Sequence, residues 1–587
     1  MASNQMKQSL LLKESETPWI KSGVEDCFMD ETTFLYCAKD NGIVVHLDNN
    51  YMIVKYNNDR SDIFSLSFRS MYLGAIDRLI PMFKEGDDFI KNEILCSSNM
   101  LKNGELSLGR NLLTAVTVWK GFNYEDGIVI SDEVSDTKFT SIHGVDMTFT
   151  IETGQVLLSL EDDRYTPLPS IGDTLQKGDV CAKVKVLDGE DGFESINIEP
   201  HEVIAPIDCV VTSIEIYPNS WNKKVREFDG FIQNLIIKQT DGYNNLYTKL
   251  VANLGKVEAD QFVILHGLSR LDCSSRIGKY TNKGQKIGGI FVKMHGIYTE
   301  KIGIGDKIAN RHGNKGIISK IIPKENMPVL PDGRRIEVIL NPLGIISRMN
   351  DGQLYELHLN EALRNIRIKL KTLNNDDRVP YLKGFLDIID KSTDKWTSEK
   401  IINEYRKDLE RVIKNELESG VPEDNIYLIQ PPFQSIKGND SKNAMQYTSS
   451  ETKQILYDPS SKMNIKNPIA VGYMYFLKLV HRSSDKMSAR SIGPYSKKTL
   501  QPLGGKSRLG GHRLGEMEIW SLLAHGADNI LKDFLTLHSD SPGLKNKFLA
   551  DVLQNPELAS HSALDDRPQS LRLFEAYLKI LGLELNI

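Results

Sequence analysis

The sequence is short of cysteine and of long hydrophobic runs. Six cysteines occur among 587 residues, and they form no Cys-x-x-Cys pair and no zinc-ligand spacing with histidine, which argues against a disulfide framework and a structural zinc site. No run of about 18 apolar residues occurs, and the N-terminus lacks the apolar core of a secretion signal. We therefore expect an intracellular protein in a reducing setting, with no membrane span.

An excess of positive charge is also missing. The chain carries 72 lysines and arginines against 78 aspartates and glutamates, a formal net charge of −6. This balance argues against a diffuse coat on DNA, because nonspecific binding of that kind needs many exposed cations. It leaves room for positive charge that is concentrated in clefts.

The pattern of apolar residues predicts several domains, β-rich at first and helical later. A length of 587 residues with a hydrophobic share of 40% corresponds to roughly four domains. Short segments rich in Val, Ile, Leu or Tyr predict strands at Gly42 to Leu47, Tyr51 to Tyr56, Leu113 to Trp119 and Gly127 to Ser131. After Arg348 the pattern becomes helical.

Three later segments have patterns of their own. Residues from about 137 to 298 include two Gly-Asp steps ahead of a predicted strand at Val180 to Val186, and they predict a small projecting β-barrel or sandwich. A charge-rich helix is predicted from Trp396 to Gly420, where glycine and proline act as stop signals. The polar stretch from Pro431 to Pro468 is predicted to be irregular.

The C-terminal region is predicted to be helical. From Gly515, apolar residues recur every three or four positions as far as Phe534, which predicts one amphipathic helix. The last 18 residues, from Ser570, repeat this pattern. Both apolar stripes predict either a partner surface or ordinary core packing.

A basic, glycine-rich loop is the most informative segment. From Lys301 to Lys320, five cations stand against one acid, Asp306. Glycines give the loop backbone freedom and allow close approach, which a merely solvated basic loop, the alternative, does not need. The spacing of a P-loop, Gly-x-x-x-x-Gly-Lys-Ser/Thr, is absent. The composition predicts a loop that meets phosphate, with Lys307 and Lys315 eight residues apart.

Two further segments supply cations. A proline-fixed turn, Asn341 to Asn350, delivers Arg348, whose planar guanidinium suits bidentate phosphate contact. From Lys478 to Arg513, nine cations stand against a single acid, with glycine and proline between the charges. This pattern predicts a cationic groove along a nucleic-acid backbone, with a solvated face as the alternative.

Adjacent carboxylates, Glu125 and Asp126, precede the predicted strand at Gly127 to Ser131. Such a pair can hold Mg²⁺ when substrate phosphates complete its shell, although two acids alone do not make a catalytic site and a solvated turn is the alternative. No Ser-His-Asp or Cys-His arrangement is evident, and His481 taken alone is typical of a core histidine. The residues thus indicate phosphates, magnesium and a nucleic-acid chain, without specifying a polymerase.

These clusters, in this order, resemble the C-terminal part of the β subunit of multisubunit RNA polymerases. Four segments carry the resemblance: 305–316 is similar to GDK-x-x-x-RHGNKG, 341–353 to NPLG-x-x-SRMN-x-GQ, 471–490 to VGYMY-x-LKL-x-H-x-x-x-DKM-x-AR, and 501–518 to QPLGGK-x-x-x-GG-x-R-x-GEME. It covers roughly residues 1–132, 288–358 and 470–587 and is weak in between.

The resemblance implies an α+β, multidomain fold that is β-rich, with a double-psi β-barrel core, a projecting β flap domain and a C-terminal helical clamp-anchor region. It divides the chain into six segments: the N-terminal part of the β core at 1–136, a flap-like β domain at 137–298, a barrel return with the active-centre lysines at 299–360, a helical and irregular insertion at 361–469, a nucleic-acid-facing basic segment at 470–514, and a helical clamp or β′-anchoring segment at 515–587.

Matching positions carry over expected catalytic roles. Lys307 and Lys315 match lysines that hold the RNA 3′ end and phosphates, and Arg348 matches the arginine that faces the incoming triphosphate. His481, with Lys486, matches residues close to the RNA–DNA hybrid and the substrate.

Further matches concern metal and nucleic acid. Glu125 and Asp126 match the acidic pair near a second, nucleotide-borne Mg²⁺, and the principal Mg²⁺ is expected on the β′ subunit. The residues expected to bind nucleic acid are Asn4, Lys7, Gln8, Arg311, Lys486, Arg490, Lys506 and Arg513.

The match begins almost at Met1, whereas a full β subunit has hundreds of residues upstream. The resemblance therefore implies one half of a split β subunit, as in the RNA polymerases of giant tailed bacteriophages, acting in an infected bacterial cytoplasm or packaged in the virion. The implied partners are an N-terminal β fragment, β′ or its fragments, a promoter-specificity factor, DNA template, RNA transcript and NTPs. The expected function is template-directed nucleotidyl transfer as one subunit, inactive alone; a non-catalytic β-like protein that binds nucleic acid or polymerase is the alternative.

Overall fold

The computed structural model describes two compact units, Met1–His481 and Arg482–Ile587. The described residues are 2–25, 34–47, 51–58, 60–66, 69–70, 76–102, 104–151, 155–161, 165–186, 200–218, 234, 281–282, 285–286, 290–389, 395–413, 426–431, 438–451, 453–497, 499–554 and 569–586. Among them, no helix combines the length and the apolar character needed to cross a bilayer.

A closed barrel of six strands forms the centre of the first unit. In chain order the strands are β1 (Arg110–Val116), β2 (Gly127–Ser131), β3 (Lys307–Asn310), β4 (Lys315–Ile322), β5 (Val338–Leu340) and β6 (Ala470–Lys478). They close in the order β1-β5-β2-β4-β3-β6. The pairs β1–β5 and β2–β4 are parallel, and the other pairs are antiparallel. The barrel thus joins strands that lie more than 300 residues apart in the sequence.

Most barrel strands are buried on both faces, which explains their nearly continuous apolar composition, whereas β4 exposes Ile317 and Ser319 on one face. One set of side chains fills the interior: Leu112, Ile128, Ile130, Ile308, Ile318, Val338, Met474 and Phe476. The alternate set, including Leu113, Val129 and Ile339, packs into a second buried cluster. The predicted strand at 127–131 is confirmed, whereas the one predicted at 113–119 lies at Arg110–Val116. It ends there because Asn123 holds a tight turn, accepting from Trp119 N and donating to Thr117 O.

Smaller sheets lie outside the barrel. Strands Gly42–Leu47 and Tyr51–Tyr56 are confirmed, in a four-stranded sheet with Ser61–Ser65 and Asp88–Phe89. A three-stranded sheet contains Leu35–Cys37, Ile94–Ser98 and Leu79–Pro81. Three two-stranded pairs are Arg69–Ser70 with Ile76–Asp77, Leu101–Lys102 with Glu105–Leu106, and Ile20–Lys21 with Leu428–Ile429.

A separate β core lies in the segment for which β structure was predicted. One sheet contains Ser141–Ile151, Ile290–Glu300, Cys209–Pro218 and Thr174–Leu175, and the other contains Gln155–Leu158, Val180–Val186 and His201–Ile204. A short pair, Thr281–Asn282 with Gln285–Lys286, follows. The two sheets enclose their own buried cluster, which includes Met147, Cys181, Val211 and Val292.

Helices complete the first unit. They are α1 (Ala2–Lys7), α2 (Leu343–Ile346) and α3 (Gly352–Thr372), followed by Asn375–Ile389, Lys395–Ile413 and Gly438–Tyr447. The helix predicted from Trp396 is confirmed as far as Ile413, and the remainder of that prediction lies outside the described residues. The irregular segment predicted at 431–468 is partly wrong. It contains the helix Gly438–Tyr447, whose Ala444 and Met445 are buried in the helical core, and a hairpin of Tyr457–Asp458 with Met463–Asn464.

The second unit is helical. Its α-helices are Ser483–Lys486, Glu516–His525, Asp528–Leu535, Pro542–Gln554 and Gln569–Ile580. The single helix predicted from Gly515 to Phe534 is wrong, because Gly526 adopts a left-handed conformation with φ of 74° and ends the first helix. Met517 and Trp520 on that helix are exposed.

Candidate active centre

Lys307 and Lys315 occupy one face of the β3–β4 hairpin. Lys307 is opposite Ile317, and Lys315 is opposite Ala309, so the two lysines are diagonal neighbours on the same face of the sheet. The alternate residues Ile308 and Ile318 fill the barrel interior. Both lysines are half-buried. The two lysines predicted to meet phosphate are therefore neighbours on this hairpin.

Buried amides hold the turn between the two lysines. Asn310 Oδ1 accepts from the backbone N–H groups of His312 and Asn314, at 3.0 and 3.2 Å. Gln353 Oε1, on α3, accepts from Asn310 Nδ2 at 2.8 Å and from Asn314 Nδ2 at 3.2 Å. Gly313 takes a φ of 84° at the tip of the turn, which favours glycine.

Arg311 has intramolecular partners where a nucleic-acid contact was predicted. Its Nη2 donates to Glu356 Oε1 at 2.7 Å and its Nη1 to the Ile20 carbonyl at 2.5 Å, and its guanidinium lies 5.3 Å from the Tyr475 ring centroid. The side chain is only 17% exposed. Arg311 thus has a structural role in this hairpin, because its guanidinium group forms an ion pair with a carboxylate 45 residues away in the sequence.

Glu356 is the buried acceptor at the base of the hairpin. It also contacts His312 Nε2 through Oε2 at 2.5 Å and accepts from Tyr475 N at 3.1 Å. Burial by itself would raise the pKa of Glu356, but the Arg311 charge and the His312 hydrogen bond outweigh it and lower the pKa to about 2. Glu356 is therefore a charged carboxylate in the interior.

The N-terminal helix α1 lies against the same hairpin. Gln5 Nε2 donates to the Gly313 carbonyl at 3.2 Å, and Gln8 Oε1 is 3.1 Å from His481 Nε2. The His481 carbonyl accepts from Lys307 N at 3.2 Å. The structure thus brings together Gln8, His481 and Lys307, three of the residues predicted for the site. Asn4 and Lys7, on α1, are exposed.

Asp126 and Arg348 meet beside strand β4. The Asp126 carbonyl accepts from Ile317 N at 3.0 Å, and a Cβ at Gly316 would lie 2.4 Å from that carbonyl oxygen, so glycine is required there. Arg348 Nη2 lies 2.7 Å from Asp126 Oδ1, and this hydrogen bond raises the pKa of Arg348. Asn341 Nδ2 is 3.5 Å from the Glu125 carbonyl.

The Glu125–Asp126 pair fits a metal ion that is also bound by a substrate better than a metal ion that the protein holds by itself. Both residues are exposed, and Asp126 is already bound by Arg348. Within the described ranges, no group of three or more His, Cys, Asp or Glu residues is arranged to hold a metal ion. Two carboxylates suit a Mg²⁺ that arrives on a polyphosphate and keeps its waters.

The second unit holds the remaining predicted nucleic-acid contacts. Arg490 donates to the Leu509 and Pro494 carbonyls at 2.5 and 3.1 Å. Lys506 donates to the carbonyls of two residues near Lys486, at 3.2 and 2.8 Å. Lys486 and Arg513 are exposed. Arg490 and Lys506 therefore help to shape the basic segment, and the nucleic-acid role of all four stays a prediction.

Two observations depart from the sequence-based picture of these clusters. Lys478, counted among the cations of the basic segment, is fully buried, and its Nζ donates to Phe139 O, Ser141 Oγ and Glu300 O. Gln353 and Glu356 were missed as site residues. They recur with Asn360 and Arg367 at helical spacing, which would predict a solvent-facing side of α3, yet all four are buried.

Comparison with known proteins identifies the family. The model of RNA polymerase Rpb2, domain 6, matches residues 37–508, and that of RNA polymerase Rpb2, domain 7, matches residues 510–586. Relatives named DNA-directed RNA polymerase subunit beta include those of Ureaplasma parvum (31% identical), Lactococcus lactis (29%) and a Caulobacter species (28%).

Each of these alignments covers 100% of this chain, which spans 40%, 42% and 49% of those relatives respectively. The resemblance noted in the sequence to the C-terminal part of polymerase β subunits is thus confirmed. Since the domain 6 model alone matches more than half of the 587 residues, the chain belongs to the RNA polymerase Rpb2 family.

Proposed function

We propose that this chain forms one wall of the active centre of a DNA-directed RNA polymerase and part of its RNA–DNA hybrid channel. The observation that carries the proposal is the shared face of Lys307 and Lys315 on the barrel hairpin. His481 adjoins Lys307 at one end of that hairpin, and the Arg348–Asp126 pair adjoins β4. Separate parts of the chain thus deliver cations to one region.

This arrangement suits the physics of nucleotidyl transfer. The reaction depends on positioning and on stabilising the charge that develops on phosphoryl oxygens. We assign Lys307 and Lys315 to the RNA 3′ end and its phosphates, Arg348 to the incoming triphosphate, and His481 to the substrate side of the hybrid. Lysines on neighbouring strands of one hairpin are preorganised for this role, because the strand register fixes the face of the sheet that they share.

Magnesium and the partner subunits complete the proposal. Glu125 and Asp126 would hold a Mg²⁺ that arrives with the nucleotide, and the bound ion would neutralise polyphosphate charge. The principal Mg²⁺ is assigned to β′, so the chain alone is proposed to be inactive. Asn4, Lys7 and Gln8 would approach the transcript, and Lys486, Arg490, Lys506 and Arg513 the nucleic-acid backbone. A promoter-specificity factor, a phage source and packaging in a virion stay predictions from the sequence.

The direct test is elongation by the complete native complex carrying Lys307→Ala or Lys315→Ala. Removal of one preorganised charge donor lowers such rates by roughly 10² to 10³-fold. Lys301→Ala is the matched control, because Lys301 is 67% exposed and pairs with Asp136 on the surface. Wild-type elongation by both hairpin variants, in complexes that assemble normally, would refute the assigned roles.

Copurification tests the assembly. The proposal expects stoichiometric recovery with β′ and with the upstream part of β, and the polypeptides recovered decide whether that upstream part is a separate fragment. An RNA synthesis assay on the same material should be positive. If the chain is recovered without other subunits, or with the subunits of another polymerase and without RNA synthesis, the non-catalytic binding protein is favoured instead.

A further inference from the structure

We infer that Gln353 and Glu356, on the first two turns of α3, are positioning residues that fix Lys307 and Lys315 in the active centre. The inference rests on the proposed function, since it concerns the same hairpin. Neither residue lies on the β3–β4 hairpin itself. They act through the turn residues 310–314, which connect the two lysine-bearing strands.

Gln353 fixes the two ends of the turn. Its side chain is fully buried, and its single carbonyl oxygen accepts from the amides of both Asn310 and Asn314. These residues close the turn, because Asn310 N also donates to the Asn314 carbonyl at 2.9 Å. Lys315 follows Asn314 directly, so the direction of its strand depends on this contact.

Glu356 fixes the middle of the turn. Its two carboxylate oxygens divide between neighbouring residues, with Oε1 accepting from Arg311 and Oε2 contacting His312. The same Oε1 accepts from Tyr475 N on β6, the strand that pairs with β3. One buried charge therefore ties the turn to the barrel wall.

The same helical turn reaches the Arg348 segment. Gln353 Nε2 donates to Asn350 Oδ1 at 2.8 Å, two residues after Arg348. Gly352 lets the elements approach, because a Cβ there would lie 2.9 Å from His312 Nδ1. The start of α3 thus sets the spacing between the lysine hairpin and the arginine, the groups assigned to opposite ends of the reacting phosphates.

The test compares elongation by complete complexes carrying Glu356→Gln, Gln353→Ala or Glu361→Gln. Glu361 is the matched control: it is a buried carboxylate of α3 too, but it pairs with Arg334 and Arg364. Because a misplacement of about 1 Å can lower a rate by about 10²-fold, we expect Glu356→Gln to reduce kcat by 10 to 100-fold. Gln353→Ala should reduce kcat as well, and Glu361→Gln should retain wild-type kcat once assembled.

A double-mutant cycle separates positioning from general loss of structure. If Glu356 acts through Lys315, the Glu356→Gln and Lys315→Ala effects are not additive, and the double variant is little slower than Lys315→Ala alone. Additive effects would overturn the inference, as would wild-type kcat in assembled Gln353→Ala and Glu356→Gln complexes. If Glu356→Gln fails to assemble, Gln353→Ala decides, because it removes no charge.

The outcomes also separate this inference from the proposed function. If elongation is slow in Lys315→Ala complexes but normal in Gln353→Ala and Glu356→Gln complexes, the active-centre assignment stands and only the positioning role is overturned. Normal elongation by Lys307→Ala and Lys315→Ala would overturn both.

Discussion

Arg348 and Asp126 bind each other across 222 residues of sequence, with Arg348 Nη2 at 2.7 Å from Oδ1 and 2.8 Å from Oδ2 of the carboxylate. Their side chains are 44% and 47% exposed. An ion pair this exposed contributes only about 0 to 1 kcal/mol to stability. Either partner can therefore leave the other at little cost when a stronger counter-charge, such as a triphosphate or Mg²⁺, arrives.

Separate variants of this pair should have distinct kinetic effects. Arg348→Ala should raise the KM for NTP, because the proposed triphosphate contact would be lost, whereas Asp126→Asn should raise the Mg²⁺ concentration needed for half-maximal elongation. Initial elongation rates of the complete complex, measured over ranges of NTP and Mg²⁺, distinguish the two.

Asp136→Asn is the control for these measurements, since Asp136 pairs with Lys301 at an exposed position. Thermal unfolding of all three variants should stay near that of the wild type, because the pairs are exposed. Identical Mg²⁺ profiles for Asp126→Asn and the wild type would exclude a metal role for Asp126.

The buried charge of Glu356 predicts a pH-dependent contribution to stability. Its pKa falls from 4.5 to about 2 on folding, so its contribution is fully present above about pH 4.5 and is lost as the pH falls towards 2. A shift of this size corresponds to stabilisation on the order of 3 kcal/mol.

Urea unfolding of the purified chain, with and without Glu356→Gln, measures this contribution. At pH 6 the variant should have a clearly lower free energy of unfolding than the wild type. This difference in unfolding free energy should become smaller between pH 4.5 and pH 2.5. The guanidinium group of arginine is not deprotonated in proteins, so the narrowing reports the carboxylate. If the difference in unfolding free energy is constant over this range, Glu356 is not ionised in the folded protein.

The sequence predicted the parts of this fold that local patterns specify. Strands such as Gly42–Leu47 follow from β-branched and aromatic residues between turns, and the choice of Lys307 and Lys315 as candidate site residues follows from the family motif. Partners distant in the sequence were not predictable. The carboxylate that binds Arg311 is on α3, and the buried polar face of α3, which includes Gln353, has the spacing of a solvated face. Only the tertiary fold shows that these polar groups satisfy one another.

Lys478 gives a last prediction, for the junction between the barrel and the separate β core. Its fully buried ammonium group donates to Ser141 Oγ at 2.7 Å and to the Phe139 and Glu300 carbonyls at 3.2 and 3.1 Å. Ser141 begins one long strand of the β core, and Glu300 ends its neighbour. The Lys478 side chain, on β6, therefore binds both strands at their adjacent ends.

Lys478→Met should loosen this junction, because the Phe139 carbonyl would lose a buried donor, and a group left unsatisfied costs about 1 to 3 kcal/mol. The Glu300 carbonyl would lose the Lys478 bond but keep Ser141 Oγ as a donor at 3.2 Å. Amide hydrogen exchange should become faster near Ser141 and Glu300. Lys293→Met is the control in the same sheet, since Lys293 pairs with Asp146, whose side chain is 50% exposed. If amide hydrogen exchange near Ser141 and Glu300 is equal in both variants, barrel packing alone holds the junction and the buried lysine is dispensable for it.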